Sequence, residues 1–220
     1  ALQMPAEHVT TTLIILSAAG LTLILNMPDV GIVISVLAGV NDKIEFGPVQ
    51  LGSQLTLAAM LRWTKTPGTS QWYKDGIVEV RSGYRTWVQW YVSGTWVRLQ
   101  LRHFVEGGDH HGPECAFDAG TGNDAEWHNY AVTLEMTKYS ATDPETEVKM
   151  YLDGTLKKTC TLNKRFEHMQ YTVKLGYCDY VGTLNAFMAD MQLHPSVLTL
   201  AALNAAFANA LPPLPSAPPP

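Results

Sequence analysis

The densest group of side chains able to ligate a metal is Asp109-His110-His111, with Glu114 and Cys115 close behind. Ligation needs such side chains to converge on one point. Consecutive loop residues point in different directions, so a solvated loop is the better reading of this stretch. No C-x-x-C pair offers a zinc or redox site, and no G-x-S-x-G motif offers a serine nucleophile. Aromatic residues are the richer resource: Trp72, Tyr73, Tyr84, Trp87, Trp90, Tyr91 and Trp96 crowd into one quarter of the chain. Sugars stack their apolar faces on rings of this kind. Trp72, Tyr73, Trp87, Gln89 and Tyr91 are the candidate ligand-binding residues. On a strand, Trp87, Gln89 and Tyr91 would share one face and Val88, Trp90 and Val92 the other. One of these faces must be core, and alternation alone leaves open which.

Three cysteines, Cys115, Cys160 and Cys178, allow one disulfide and one leftover thiol. Cys160 and Cys178 fall on two apparent strands separated by a short loop and are the expected pair. A bridge from Cys115 to Cys178, or three reduced thiols, are the alternatives. The formal charge of −5 comes with no basic cluster beyond Lys157-Lys158 and Lys164-Arg165, so no nucleic-acid partner is expected. No lysine or arginine precedes Lys43, and the first 42 residues carry only Glu7, Asp29 and Asp42 as charges. The apolar run Leu13–Leu25 is shorter than the roughly 20 residues of a membrane span. It reads as buried strand, and membrane contact is not expected. No leader segment is evident and the chain does not begin with methionine, which suggests a processed chain or a piece of a larger one.

The elements that must position these residues are strands. Tyr130, Val132, Leu134 and Met136, then Val148, Met150 and Leu152, alternate with polar neighbours, the mark of strands with one buried face. Asp153-Gly154 follows, and another run, Leu156 to Leu162, begins at once. Asp-Gly between two such runs predicts a type I′ hairpin. Further strands are predicted at Val9–Ser17, Leu21–Asn26, Gly31–Leu37, Leu55–Trp63, Gly76–Arg81, Thr86–Val92, Thr95–His103, Tyr171–Tyr177 and Asn185–Leu193. The Thr86–His103 pair should turn at Ser93-Gly94. Glu106–Asn123, glycine-rich and polar, reads as a long loop. Thr199 should cap a helix over Leu200–Asn209, with Leu200, Leu203 and Phe207 on one face. LPPLPSAPPP at the end should be extended polyproline II. About twelve strands and one helix predict an all-β, two-sheet antiparallel sandwich.

The stretch EWHNYAVTLEMTKYSATDPETEVKMYLDG, residues 126–154, resembles the laminin-G-like and pentraxin-like branch of the concanavalin A-like jelly rolls. Val36–Trp63 is similar to that family's opening and Leu175–Leu203 to its close, so the resemblance spans roughly residues 30–208. It implies a jelly-roll domain over 30–210, behind an apolar extension, 1–29, and ahead of the Pro-rich tail, 211–220. It also implies an oxygen-ligated Ca²⁺ site. Asn41, Asp42 and Asp190 match the acidic positions, although Asp190 could equally cap a turn, and no other cofactor is implied. The Trp127-His128 pair matches the family, with His128 expected as a packed side chain satisfied by backbone.

Glycosidases of related fold place carboxylates at i, i+2 on a strand. Glu145 and Glu147 have that spacing but follow Asp143-Pro144, in what reads as a polar connection, so no enzyme is expected. The resemblance implies a non-enzymatic binding or adhesion module, extracellular or at the cell surface, whose partner is a glycan or a neighbouring protein subunit. The alternatives are a carbohydrate-active hydrolase and a purely structural subunit assembled through residues 9–40.

Overall fold

The computed structural model describes residues 32–34, 44–63, 75–82, 86–103, 113–120, 126–165, 169–179 and 181–208. The strands expected at Val9–Ser17 and Leu21–Asn26, the proline tail, and Asn41, Asp42, Trp72 and Tyr73 lie outside these residues.

Two six-stranded antiparallel sheets make the sandwich. The first runs β1 (Ile32–Ile34), β14 (Ala186–His194), β3 (Gln54–Trp63), β8 (His128–Lys138), β9 (Glu145–Leu152) and β10 (Thr155–Leu162). The second runs β2 (Ile44–Leu51), β11 (Met169–Leu175), β4 (Asp75–Ser82), β5 (Thr86–Ser93), β6 (Trp96–His103) and β7 (Glu114–Asp118). A small hairpin, β12 (Tyr177–Cys178) and β13 (Gly182–Thr183), and one helix, α1 (Leu200–Ala208), complete the described chain. The expected all-β sandwich with one short helix is the fold observed.

Alternation decides which side chains meet between the sheets. Leu55, Leu57, Ala59 and Leu61 of β3, Tyr130, Val132 and Leu134 of β8, and Val148 and Met150 of β9 face Val78, Val80, Val88, Trp90, Leu99 and Leu101 across one core. Period two is what lets each strand give one face to this core and the other to solvent or to a covering element. The predicted hairpin at Asp153-Gly154 forms, with φ of 50° and 68° at its two central residues. Positive φ at both positions is the type I′ signature.

Each outer face carries a cover. Over the first sheet, α1 lays Leu203 and Phe207 on Ala58, Ala131 and Tyr151. Its start is fixed as expected, the Thr199 hydroxyl accepting from Ala202 N–H at 3.2 Å. Leu200 is not part of that face: it is 41% exposed, while Leu203 and Phe207 are the helix residues that meet the sheet. Over the second sheet, the β12–β13 hairpin sets Cys178 and Val181 against Tyr91. Gly76 makes this approach feasible, since a Cβ there would stand 2.4 Å from Cys178 N and 2.6 Å from Gly182 O.

Three expectations are corrected. The stretch read as loop contains β7, which adds the last strand to the second sheet through pairs such as Leu99–Cys115. Glu145 and Glu147 belong to β9, not to a connection. The disulfide joins Cys115 to Cys160, with Cα atoms 5.8 Å apart, and Cys178 is a buried free thiol. Cys115 on β7 and Cys160 on β10 both pack against the core, from the edge strands of the two sheets, so their bridge closes the sandwich at one side. Cys178 lies on the far side of the second sheet, donating its thiol to Val78 O at 3.2 Å, out of reach of both.

Candidate functional site

Register places six polar residues in one row across the second sheet: Glu45, Lys174, Glu79, Gln89, Gln100 and Glu114. At its centre Glu79 is fully buried. Its Oε2 accepts from Gln89 Nε2 and from the backbone N–H of Asp179, both at 2.8 Å. Its Oε1 is met by Lys174 Nζ at 3.1 Å. The same Nζ reaches Asp179 Oδ1 at 3.0 Å, and Arg81 holds Asp179 Oδ2 at 2.7 Å. Two carboxylates and two cations thus form a closed quartet beneath the β12–β13 hairpin. A buried charge costs several kcal/mol unless it is paired and hydrogen-bonded; here Oε2 takes the hydrogen bonds and Oε1 the ion pair alone.

The quartet tunes its neighbours. Burial pulls the Lys174 ammonium down, but its bonds to Asp179 and Glu79 outweigh that and leave it above the ordinary lysine value. Burial, then the charges of Glu79 and Asp179, push the Cys178 thiol well up. Burial and Asp179 also raise Tyr177, whose ring lies 5.6 Å from Lys174 Nζ. At the far end of the row Glu114 is held by Arg98 and by Tyr91 OH at 3.0 Å. Glu79 and Glu114 are three strands apart, about 14 Å at the usual strand spacing. Glycosidase carboxylates stand roughly 5–9.5 Å apart.

This geometry revises the expected binding residues. Trp87, Gln89 and Tyr91 are on β5, and the face opposite Gln89 and Tyr91 is core, since Val88, Trp90 and Val92 point inward. Gln89 is fully buried and Tyr91 is 1% exposed, because the later hairpin covers that face. Neither offers a surface for a ligand. Trp87 holds the register position opposite Arg81 and Arg102.

Asp190 is buried in a bulge of β14, at φ 48°, and accepts from Gln192 Nε2 at 2.8 Å. Burial raises its carboxyl above the ordinary aspartate value, against the opposing pull of Gln192. Among the described residues no three His, Cys, Asp or Glu side chains gather as metal ligands. Glu114 and Cys115, expected beside the Asp109-His110-His111 loop, are engaged in the pairs above, and residues 109–111 lie outside the described ones. Glu147 lies with Lys149 on β9, Oε1 to Nζ 2.5 Å. His128 at the start of β8 sets its Nδ1 2.8 Å from Asp153 Oδ2, a carboxylate partner beyond the packing expected of it.

The outer face of the first sheet holds what the sequence reading missed. Phe187 is the direct register partner of Arg62, and Trp127 immediately precedes β8, whose His128 pairs with Leu61. The Arg62 guanidinium carbon lies 4.8 Å from the Phe187 ring centroid and 5.3 Å from that of Trp127. All three side chains are half-buried. No local motif links residues so far apart; only the strand order unites them.

No protein-family model matches this chain, and no curated protein matches it by sequence. Solved structures do. One, of botulinum neurotoxin type C and described by its interaction with two ganglioside molecules, is 14% identical with a TM-score of 0.53, over 72% of this chain and 36% of that one. The receptor-binding domain of a mosaic C/D botulinum neurotoxin is 14% identical at a TM-score of 0.56, over 81% of this chain and 44% of its own. The binding domain of a D/C neurotoxin in complex with rat synaptotagmin II is 12% identical at 0.51, over 71% and 36%. This chain therefore spans well under half the length of each. At such identity the likeness shows the fold alone: a two-sheet, antiparallel jelly-roll β-sandwich.

Proposed function

We propose that the chain is a non-enzymatic recognition module of an extracellular or cell-surface protein, with a glycan or a protein as its partner. The observation that carries this reading is the Phe187–Arg62–Trp127 ridge, an aromatic and cationic surface left partly open on a sheet face. Glu79, Asp179, Glu114 and Glu147 are meanwhile committed to cations, which argues against the hydrolase alternative. The fold is one that receptor-binding domains use, including those described with gangliosides and synaptotagmin. The Cys115–Cys160 bridge fits an oxidising compartment. Within this class the branch proposed is the laminin-G-like one, on the resemblance carried by residues 126–154. A glycan array probed with the purified chain, in calcium and in chelator, tests the reading. Selective retention of a glycan class supports it, and loss of that retention in chelator would bring Asn41, Asp42 and Asp190 back as ligands. Uniform absence of binding would remove glycans as partners.

A second reading, a subunit assembled through residues 9–40, is favoured by one observation. The described part of that segment, β1, is the terminal strand of its sheet and pairs only with β14 among the described residues. An edge strand presents backbone groups that another chain can extend. Light scattering on the intact chain tests it: a monomer at all concentrations would exclude self-assembly by this route.

A further inference from the structure

We infer that the shelf beside Arg62 is a binding site for a sugar that carries a carboxylate; this rests on the recognition reading above and names its ligand class. Three observations converge. First, Arg62 is a half-buried cation whose contacts among the described residues are two aromatic rings, with no anion paired to it. Five N–H donors in a planar fork are thereby held beside rings, unspent among the described residues, and a carboxylate is the group that matches the fork in two parallel bonds. Second, the next row along the same face is Ala189, Met60 and Asn129, about 7 Å away at two residues' rise. The Asn129 Oδ1 atom is buried there and accepts no hydrogen bond. It is an acceptor placed to take a hydroxyl donor. Third, the row beyond is Ala58, Ala131 and Tyr151, roofed by Leu203 and Phe207 of α1.

The shelf is therefore floored by Met60 and the small Ala189, and bounded by the aromatic ridge on one side and the helix on the other. The neighbouring carboxylate, Asp153, does not fill the role of counter-ion, since His128 Nδ1 and the Asn129 N–H occupy its oxygens at 2.8 and 2.9 Å. A ligand suited to this place has an apolar ring face for Trp127 or Phe187, an anionic fork partner for Arg62 and a hydroxyl for Asn129. An acidic hexose ring has all three. A neutral hexose would leave the guanidinium unpaired, and a simple anion would forgo the rings.

The test is calorimetric titration of the full chain with galacturonate oligosaccharides and with sialyllactose, against lactose and maltose as neutral controls. Binding of at least one acidic sugar is expected, with neutral sugars at least tenfold weaker, the loss of one charge-assisted pair. Arg62→Gln should cost about tenfold, and Arg62→Lys most of that, because lysine keeps the charge without the fork. Trp127→Ala should weaken binding and abolish any fluorescence change that accompanies it. Unchanged melting temperature of Arg62→Gln separates lost recognition from lost folding. Acidic sugars that bind Arg62→Gln as well as the parent chain overturn the inference, as does an equal preference for neutral ones. Neutral-sugar binding that ignores Arg62 would do so while leaving the recognition reading standing. No binding of any sugar would overturn the inference and confine recognition to protein partners.

Discussion

Breaking the Cys115–Cys160 bridge should be the most costly covalent change available to this domain. The bridge closes a loop with a sequence separation of 45 residues, across edge strands of opposite sheets. Restriction of the unfolded chain by a loop of that length corresponds to about 4 kcal/mol at room temperature. Domains of this kind are stable by only about 5–15 kcal/mol, so the bridge supplies a large share. For a domain of about 200 residues this translates into a fall in melting temperature of roughly 8–16 °C. The perturbation is the double substitution Cys115→Ala, Cys160→Ala, compared with the parent chain both oxidised and fully reduced. Urea unfolding followed by tryptophan fluorescence measures the difference. Reduction and double substitution should agree within about 1 kcal/mol, the residue being the packing lost when two half-cystines become alanines. A loss below about 1 kcal/mol, or non-reducing peptide mapping that finds Cys178 in the bridge, would refute this reasoning.

Glu79→Gln should destabilise by about 3 kcal/mol, the lower end for breaking a buried pair, because Asp179 still answers Lys174 and Arg81. Hydrogen exchange should then speed up in the β12–β13 hairpin before the core; equal protection there would show that Glu79 does not anchor it. Asp190 has a raised carboxyl, so its protonated form is favoured on folding. Its contribution is present below the ordinary aspartate range and is lost as pH rises through the raised value. Asp190→Asn, which tolerates the positive φ and can still accept from Gln192, should therefore melt higher than the parent at neutral pH and equal to it in acid; a lower melting point at neutral pH would contradict this. Cys178, buried with its thiol pushed up, should resist a thiol-specific reagent at pH 8 in the native protein and react once the chain unfolds. Stoichiometric labelling of the folded chain would place it at the surface instead.

Local rules carried the strands and the turns. Alternation at Tyr130–Leu134, Val148–Met150 and Val97–Leu101 matched the buried faces, because one buried face leaves a period-two record in the chain. Asp153-Gly154 and Thr199 were legible for the same reason: each acts within a few residues of itself. β7 was not, since five residues between glycine-rich flanks carry too little pattern to register. The cysteine pairing failed because proximity in sequence says nothing of which sheet, or which face, a strand joins. Gln89 and Tyr91 were placed on the correct strand but named as ligand-binding candidates, because their cover arrives some ninety residues later in β12–β13. The Glu79 quartet draws on β4, β11 and the hairpin, and the Arg62 ridge on β3, β14 and the residue before β8. Both exist only through strand order, which no local pattern states.

Recognition without chemistry is tested most directly by asking what becomes of a retained sugar. The intact chain, immobilised, is incubated with a mixture of acidic and neutral oligosaccharides at 25 °C, washed, and the retained fraction is eluted and weighed by mass spectrometry over hours. The proposed function predicts that a subset is retained and recovered at its starting mass, with none of it shortened. Release of shortened products that grow with time, and that cease in Glu79→Gln or Glu147→Gln, would contradict it and make the protein a hydrolase.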